Sequence, residues 1–442
     1  MIKSYLITGL LFLNYSAYAQ SIPPEMDQAT IQKVIVRTSE LVTQNYVFPD
    51  KALLISDHIR KLNKNKKYNL YKNAQNLAKQ LTADIQSVNK DKHLRIIYDP
   101  ELEKDIISYL NTPPQTNQIK KQEENKEKTF NFFFRKLEIL PSNIGYIEFT
   151  NFPTPSEEAQ KTIHSAMQFI SNTDALIIDL RRNRGGNGTT STELLGYFFN
   201  EKIKTGKSFN RIENKWTDDY IENIPSIAGG LYLGMPVYIL TSKWTFSAAE
   251  GFVYTMKYLR NSKIIGETTA GGAHLTRSFS SGSGFVAFIP FTRSENIKTG
   301  TDWEITGIVP DIEVKSGDPL ILAQNEILKE KLLKTNNENE QRKIKWLLNY
   351  NLSKESKHII ATEDLKKYAG RFAEFEISVV GNELLFRNTN SPDDSLQKMI
   401  PITNTLFQVG LDYQVNFLKD KNYNTIKMYW SDGWAEDIDR TK

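Results

Sequence analysis

The segment Thr241–Glu250, TSKWTFSAAE, sets one serine, Ser247, between an apolar run at Met235–Leu240 and a small-residue stretch that reads as a helix start. A strand ending just before Ser247 would hold its hydroxyl at the strand's carboxyl end. A helix opening at Ala248 would aim backbone N–H groups at whatever that hydroxyl attacks. A serine hydroxyl is too weakly acidic to be a nucleophile near neutral pH by itself. It needs a base, and the base needs a group to orient it. The competing role for Ser247 is that of a helix N-cap.

The chain has five histidines from which to draw that base. His58, His164 and His358 lie among charged residues in helical or linker sequence and read as solvated. His93 opens a short strand in DKHLRIIYD, directly after a helical stretch, where a side chain can project over a cleft. His274, behind the Gly271-Gly272 turn, is the rival. The Gly-rich stretch RRNRGGNG, Arg181–Gly188, follows an apolar run ending at Leu180. That is a loop at the carboxyl end of a strand, where open α/β sheets place ligands. Its glycines can present N–H groups to an oxyanion. It has neither the spacing of a phosphate loop nor the Gly-Lys-Ser/Thr that would follow one.

The elements that must position these groups follow from periodicity. Ile31, Val34, Ile35, Leu41 and Val42 fall on one helical face, as do Ala52, Ile55, Ile59 and Leu62, and then Ala74, Leu77, Leu81, Ile85 and Val88. They predict a helical N-terminal unit. Residues 112–129 are polar and charged, and are expected to form an exposed, mobile loop. The runs Ala175–Leu180 and Met235–Leu240 are apolar on both faces, as buried parallel strands are. Helical patterns between them imply α/β layering with right-handed crossovers. Asp318-Pro319 marks a helix start, and helical sequence runs to about Tyr350. Residues 362–442 hold short alternating segments between turns, a small antiparallel β unit.

Taken together, these segments resemble the S41 peptidases, the C-terminal processing protease clan. DLRRNRGGNG at 179–188, TSKWTFSAAE at 241–250, KIIGETTAGG at 263–272 and GIVPDIEV at 307–314 match its motifs in order, and IGYIEFTNF at 144–152 resembles the strand that opens its core. Processing proteases of the bacterial type carry a lysine base in a turn after the nucleophile. Here that position is Gly272, and the PDZ module of those proteases is missing. Both departures resemble the branch of interphotoreceptor retinoid-binding protein and tricorn protease, where an upstream histidine is the base. His93 in Asp91-Lys92-His93-Leu94 matches it, and Glu304 matches the glutamate before Gly-x-x-Pro-Asp. That branch has a hydroxyl residue before the histidine, and here the position is Lys92.

The resemblance implies Ser247 as nucleophile, His93 as general base and then acid, and Glu304 assisting by orienting His93 or through water. Ala248 with Gly185 or Gly186 would supply the oxyanion hole. Asp179 and Arg181 read as a structural pair bracing the Gly-rich loop. The implied fold is α/β, a ClpP/crotonase-like core at 130–325 with an N-terminal helical cap at 20–100. A helical linker at 326–361 and a small antiparallel β domain at 362–442 follow. The implied function is a serine peptidase acting through an acyl-enzyme on peptide or unfolded protein, with no metal and no organic cofactor. The same fold could instead carry a hydrophobic ligand or act as an esterase.

Composition bounds the rest. A net charge of +4 on 442 residues argues against nucleic acid or an anionic membrane as partner. The absence of cysteine excludes disulfides, thiolate metal sites and a thiol nucleophile. Residues 1–19 carry Lys3, an apolar stretch and the ending Ala17-Tyr18-Ala19, the pattern of a secretory signal cleaved before Gln20. This predicts a secreted or periplasmic bacterial protein, with no membrane-spanning segment once the signal is removed.

Overall fold

The computed structural model describes residues 25–111, 124–222, 233–391, 395–418 and 423–441. The expected signal at 1–19 and positions 112–123 of the polar loop lie outside them. The remainder of that loop departs from expectation, because 124–128 form a helical turn. Glu127 is buried there and accepts hydrogen bonds from Thr154 N (2.9 Å) and Thr154 Oγ1 (2.9 Å). A carboxylate tolerates burial when donors replace its water.

The chain divides into two compact units, one of residues up to 139 with Gly145–Lys315, the other of Leu140–Ile144 with Ser316–Lys442. The first opens with α1 (Gln28–Asn45), α2 (Pro49–Lys64) and α3 (Ala74–Val88). Asp27 caps α1 by accepting from Thr30 N, and Asn73 caps α3 by accepting from Asn76 N. Their apolar stripes meet β1 (Arg95–Tyr98) and, much later in the chain, β10 (Phe285–Asn296). Ile31, Ile35, Leu81 and Ile85 share one core with Ile96, Phe285, Ala287 and Ile289. The N-terminal helices therefore do not have a core of their own.

A six-stranded sheet carries the site. Its order is β11 (Ile312–Glu313), β8 (Lys263–Gly266), β7 (Val237–Thr241), β4 (Ala175–Asp179), β3 (Ile144–Phe149) and β2 (Phe134–Leu140). Strands β4, β7 and β8 are parallel, with Asp179 opposite Leu240 and Thr241 opposite Gly266. Every residue of β4 and β7 is buried, as the apolar runs predict. Helices α5 (Glu157–Phe169) and α7 (Ala248–Arg260) pack Ile163, Met167, Phe252 and Val253 into this sheet's core. Between β4 and β7 lie α6 (Gly188–Leu195) and the strands β5 (Ile203–Asn210) and β6 (Lys215–Ile221).

A second, antiparallel sheet runs β1-β10-β5-β6, with β9 (Leu275–Gly282) also paired to β10. Among the described residues no helix is long and apolar enough to cross a membrane.

In the second unit, α8 (Pro319–Lys334) starts at Asp318, whose side chain accepts from Leu320 N. Helix α9 (Glu338–Lys354) and eight antiparallel strands between Gly370 and Asp439 follow, paired in sequence order. An antiparallel bridge between Phe372 and Arg440 brings the ends of this meander together. Phe386, Phe407 and Phe417 are its buried core.

The shared core of the N-terminal helices makes a direct prediction. Ile289→Ala in β10 lowers the unfolding free energy by about 2–5 kcal/mol, measured by urea denaturation, and α1–α3 melt with the sheet instead of persisting alone.

Candidate active site

Three adjacent parallel strands deliver their loops to one end of the sheet. After β4 comes the Gly-rich loop, after β7 the turn to Ser247, and after β8 the stretch to His274. Side chains and backbone stitch the three together. Thr245 Oγ1 donates to Leu180 O (2.8 Å), Phe246 N to Asn183 O (3.2 Å) and Ala270 N to Thr245 O (3.0 Å).

Ser247 immediately precedes α7 and has φ 56°, ψ −122°. A non-glycine residue at positive φ is strained unless its surroundings hold it there. What holds it is Glu250, three residues on and fully buried. Its carboxylate accepts Ser247 N (2.9 Å), Thr269 Oγ1 (2.5 Å), Gly271 N (2.7 Å) and Gly272 N (2.8 Å). Burial pushes the Glu250 carboxyl above its usual range, against the opposing pull of these four donors. The signal for Glu250 was in the sequence, since Ser-x-x-Glu is the pattern of a capping box.

The Gly-rich loop lies directly against the serine. A Cβ built on Gly185 would sit 2.9 Å from Ser247 Cβ and 3.1 Å from Ala248 N. Gly185 has φ 103° and Gly186 φ 119°, backbone that glycine adopts freely. The Gly185 N–H, however, donates to Asn183 Oδ1 (2.9 Å), so it is not available to an oxyanion. Gly186 differs. Its neighbours bond Phe152 through Gly185 O (2.7 Å) and Asn187 N (3.0 Å), which turns its own N–H away from Phe152. Neither that N–H nor the one of Ala248 bonds any described residue. Asn183, fully buried, also donates to Phe149 O (3.1 Å) and thereby fixes the loop. Asp179 and Arg181 form the expected bracing pair (2.6 Å), with Tyr146 OH on the same carboxylate (2.8 Å).

His93 comes from the other sheet, two residues before β1. Its ring packs on that of Phe246, the residue before Ser247, with centroids 4.5 Å apart. It is 6% exposed and its Nδ1 has no hydrogen-bond partner. Burial lowers its pKa to about 4, which leaves a neutral imidazole at pH 7. Its main-chain N–H donates to Asp91 Oδ1 (3.0 Å). Lys92, by contrast, points its ammonium to Ala270 O.

Glu304 sits elsewhere in this network. Its Oε2 accepts Ala273 N (2.6 Å) and His274 N (3.3 Å), Oε1 is buried without a partner, and it bonds neither His93 nor Ser247. Burial, then the charge of Asp91, raises its pKa to about 7. His274 Nδ1 lies 2.9 Å from Asp91 Oδ2 and 3.5 Å from Glu304 Oε2. Asp91, His274 and Glu304 offer ligand-type atoms within 4.8 Å of one another, and a direct hydrogen bond joins His274 Nδ1 to Asp91 Oδ2, while His274 Nε2 and Glu304 Oε1 have no hydrogen-bond partner among the described residues. Asp91, Asn183, Glu250 and Asp302 carry the geometry, and the sequence assigns none of these four a chemical role.

Gly272 explains why a lysine does not stand at that position. A Cβ there would lie 2.7 Å from His93 Cε1 and closer still to the Phe246 ring. Imidazole and phenyl fill the space a longer side chain would cross. Gly272→Ala displaces His93 from Phe246, costs about 1–3 kcal/mol as overpacking, and lowers catalytic turnover more than it lowers stability. Parallel thermal melts and rate measurements check this.

The chain matches the family model for peptidase family S41 over residues 143–314, and that for the N-terminal domain of peptidase S41 in eukaryotic IRBP over residues 19–141. It is 25% identical over 170 residues to the chloroplastic carboxyl-terminal-processing peptidase 2 of Arabidopsis thaliana, a match covering 38% of this chain and 31% of that one. The chain thus spans under a third of that relative's length. Among solved structures, a lipoprotein from Streptococcus agalactiae is 19% identical with a TM-score of 0.45, over 70% of this chain and 98% of that one. The tricorn protease is 13% identical with a TM-score of 0.44, over 68% and 37%. With its two consecutive segments matched by the family's own domains, the chain belongs to peptidase family S41, a family of serine-type peptidases.

Proposed function

We propose that this protein is a secreted serine peptidase that cleaves peptides or unfolded protein through an acyl-enzyme on a ClpP/crotonase-like core. The observation that carries the reading is Ser247, held at positive φ beside two unbonded backbone N–H groups, with a neutral imidazole packed on the preceding residue. His93 takes the Ser247 Oγ proton as Oγ bonds to the scissile carbonyl carbon. The developing oxyanion is met by the N–H groups of Ala248 and Gly186, and each such donor is worth about 3–4 kcal/mol in the transition state. The tetrahedral adduct then expels the amine, which leaves with the proton from His93. Water, deprotonated by His93, releases the acyl group and restores Ser247. Glu304 assists from behind the His274 segment through water, since it makes no direct bond to His93.

Two measurements test this. A fluorophosphonate probe labels the chain lacking residues 1–19 at Ser247. Ser247→Ala loses the label together with protein cleavage, and turnover falls by about 10⁵–10⁶-fold. Persistent labelling of Ser247→Ala refutes the nucleophile. The pH profile addresses the base. Since kcat/KM reports the free enzyme, its acid limb falls near pH 4, where His93 protonates, and not near the ordinary histidine value of about 6.5. A profile of kcat/KM from pH 3 to 8 reads this directly.

A further inference from the structure

The His274 ring lies near the site with carboxylates on both of its nitrogens. Two segments remote from it in sequence converge on it: the α3–β1 turn with Asp91, and the loop with Asp302 and Glu304. Nδ1 is 2.9 Å from Asp91 Oδ2 and 3.5 Å from Glu304 Oε2, while Nε2 is 3.5 Å from Asp302 Oδ2. The side chains of His274, Asp91 and Glu304 are 2%, 0% and 8% exposed. A neutral imidazole would turn a bare lone pair toward one of these carboxylates, and the buried Asp91 and Glu304 carboxylates alone would repel one another. A cation answers both problems. With both ring nitrogens facing carboxylates, His274 is not placed to act as the base for Ser247.

We infer that His274, held as an imidazolium, is a positioning residue for the base, fixing Asp91 so that Asp91 can grip the main chain of His93. Asp91 divides its oxygens accordingly. Oδ2 takes His274 Nδ1 and Tyr46 OH (3.0 Å), and Oδ1 takes the His93 N–H (3.0 Å). The same cation faces the Glu304 carboxylate that holds Ala273 and His274 at their backbones. The electrostatics agree. Despite burial, Asp302, Asp91 and Glu304 together raise the His274 pKa to about 10. Burial alone would raise Asp91, yet the bond and charge of His274 bring it below its usual range. The titratable groups around His274 and His93 are Asp91, Asp302, Glu304, Tyr46 and Arg95. The His274 cation also helps keep His93 unprotonated.

The inference rests on His93 being the base, and the test separates the two claims. In His274→Asn, kcat falls about 10- to 100-fold, the range typical for groups that orient a reacting residue, while KM stays within about twofold. The acid limb of kcat/KM moves to higher pH, because removing a nearby cation makes His93 easier to protonate. A folded His274→Asn with wild-type kcat and acid limb overturns the inference. Should that variant fail to fold, Asp302→Asn gives the reading. It weakens proton binding at His274, so the alkaline limb moves down from near pH 10, and an unmoved limb overturns the inference. A third readout needs no turnover: the NMR titration midpoint of the His93 ring in Ser247→Ala rises when His274→Asn is added, or the inference fails. The underlying assignment of His93 fails separately, if His93→Gln keeps its activity.

Discussion

One buried carboxylate holds the serine end of this site in place. Glu250 has no access to water, and every donor it uses belongs to the loops that surround Ser247. Hydrogen bonds to a charged group contribute about 1.5–3 kcal/mol each, and leaving such buried donors unpaired costs as much again. That is enough to hold a serine in a backbone conformation it would otherwise leave. The same carboxylate sets the height of the Gly271-Gly272 turn, which in turn leaves room for His93 over Phe246.

The site is thus assembled from two sheets by two kinds of contact. The parallel strands β4, β7 and β8 align the Gly-rich loop, the serine turn and the Gly-Gly turn through their shared carboxyl ends. The imidazole arrives from the antiparallel sheet, seated on an aromatic ring and anchored by its own main chain to Asp91. Hydrophobic packing brings His93 in, and hydrogen bonds set its register.

Much of this arrangement was legible in the amino-acid order. Apolar runs without alternation mark β4 and β7, the helical stripes mark α1–α3, and Asp318-Pro319 marks α8. Ser247, His93 and the glycines at 185–186 stand out because their types and neighbours suit one chemistry. Less legible were the long-range partners. Nothing in the periodicity of residues 31–88 says that they share a core with Phe285 and Ile289, because a stripe shows that a face is buried and not against what. Glu127 read as part of a solvated charged run, since a single buried carboxylate in polar sequence has no local signature. Gly185 and Gly186 were equivalent on paper. Only the Asn183 side chain, folding back on Gly185, tells their N–H groups apart. Glu304 matched a motif but bonds the segment of His274, whereas Asp91, two residues before His93, is the acid that bonds its main-chain N–H.

The pairing of β1 with β10 has a temporal meaning. Arg95 lies opposite Phe288, so the strand that follows His93 finds its partner only after nearly two hundred further residues have been made. Closing so long a loop comes late in folding, after the local helices and the parallel core can form. With His93 as the base, a nascent or half-folded chain carries the serine without its proton acceptor. Such a chain is inert toward its own unfolded segments, and hydrolytic competence becomes a property that only the completed tertiary structure acquires.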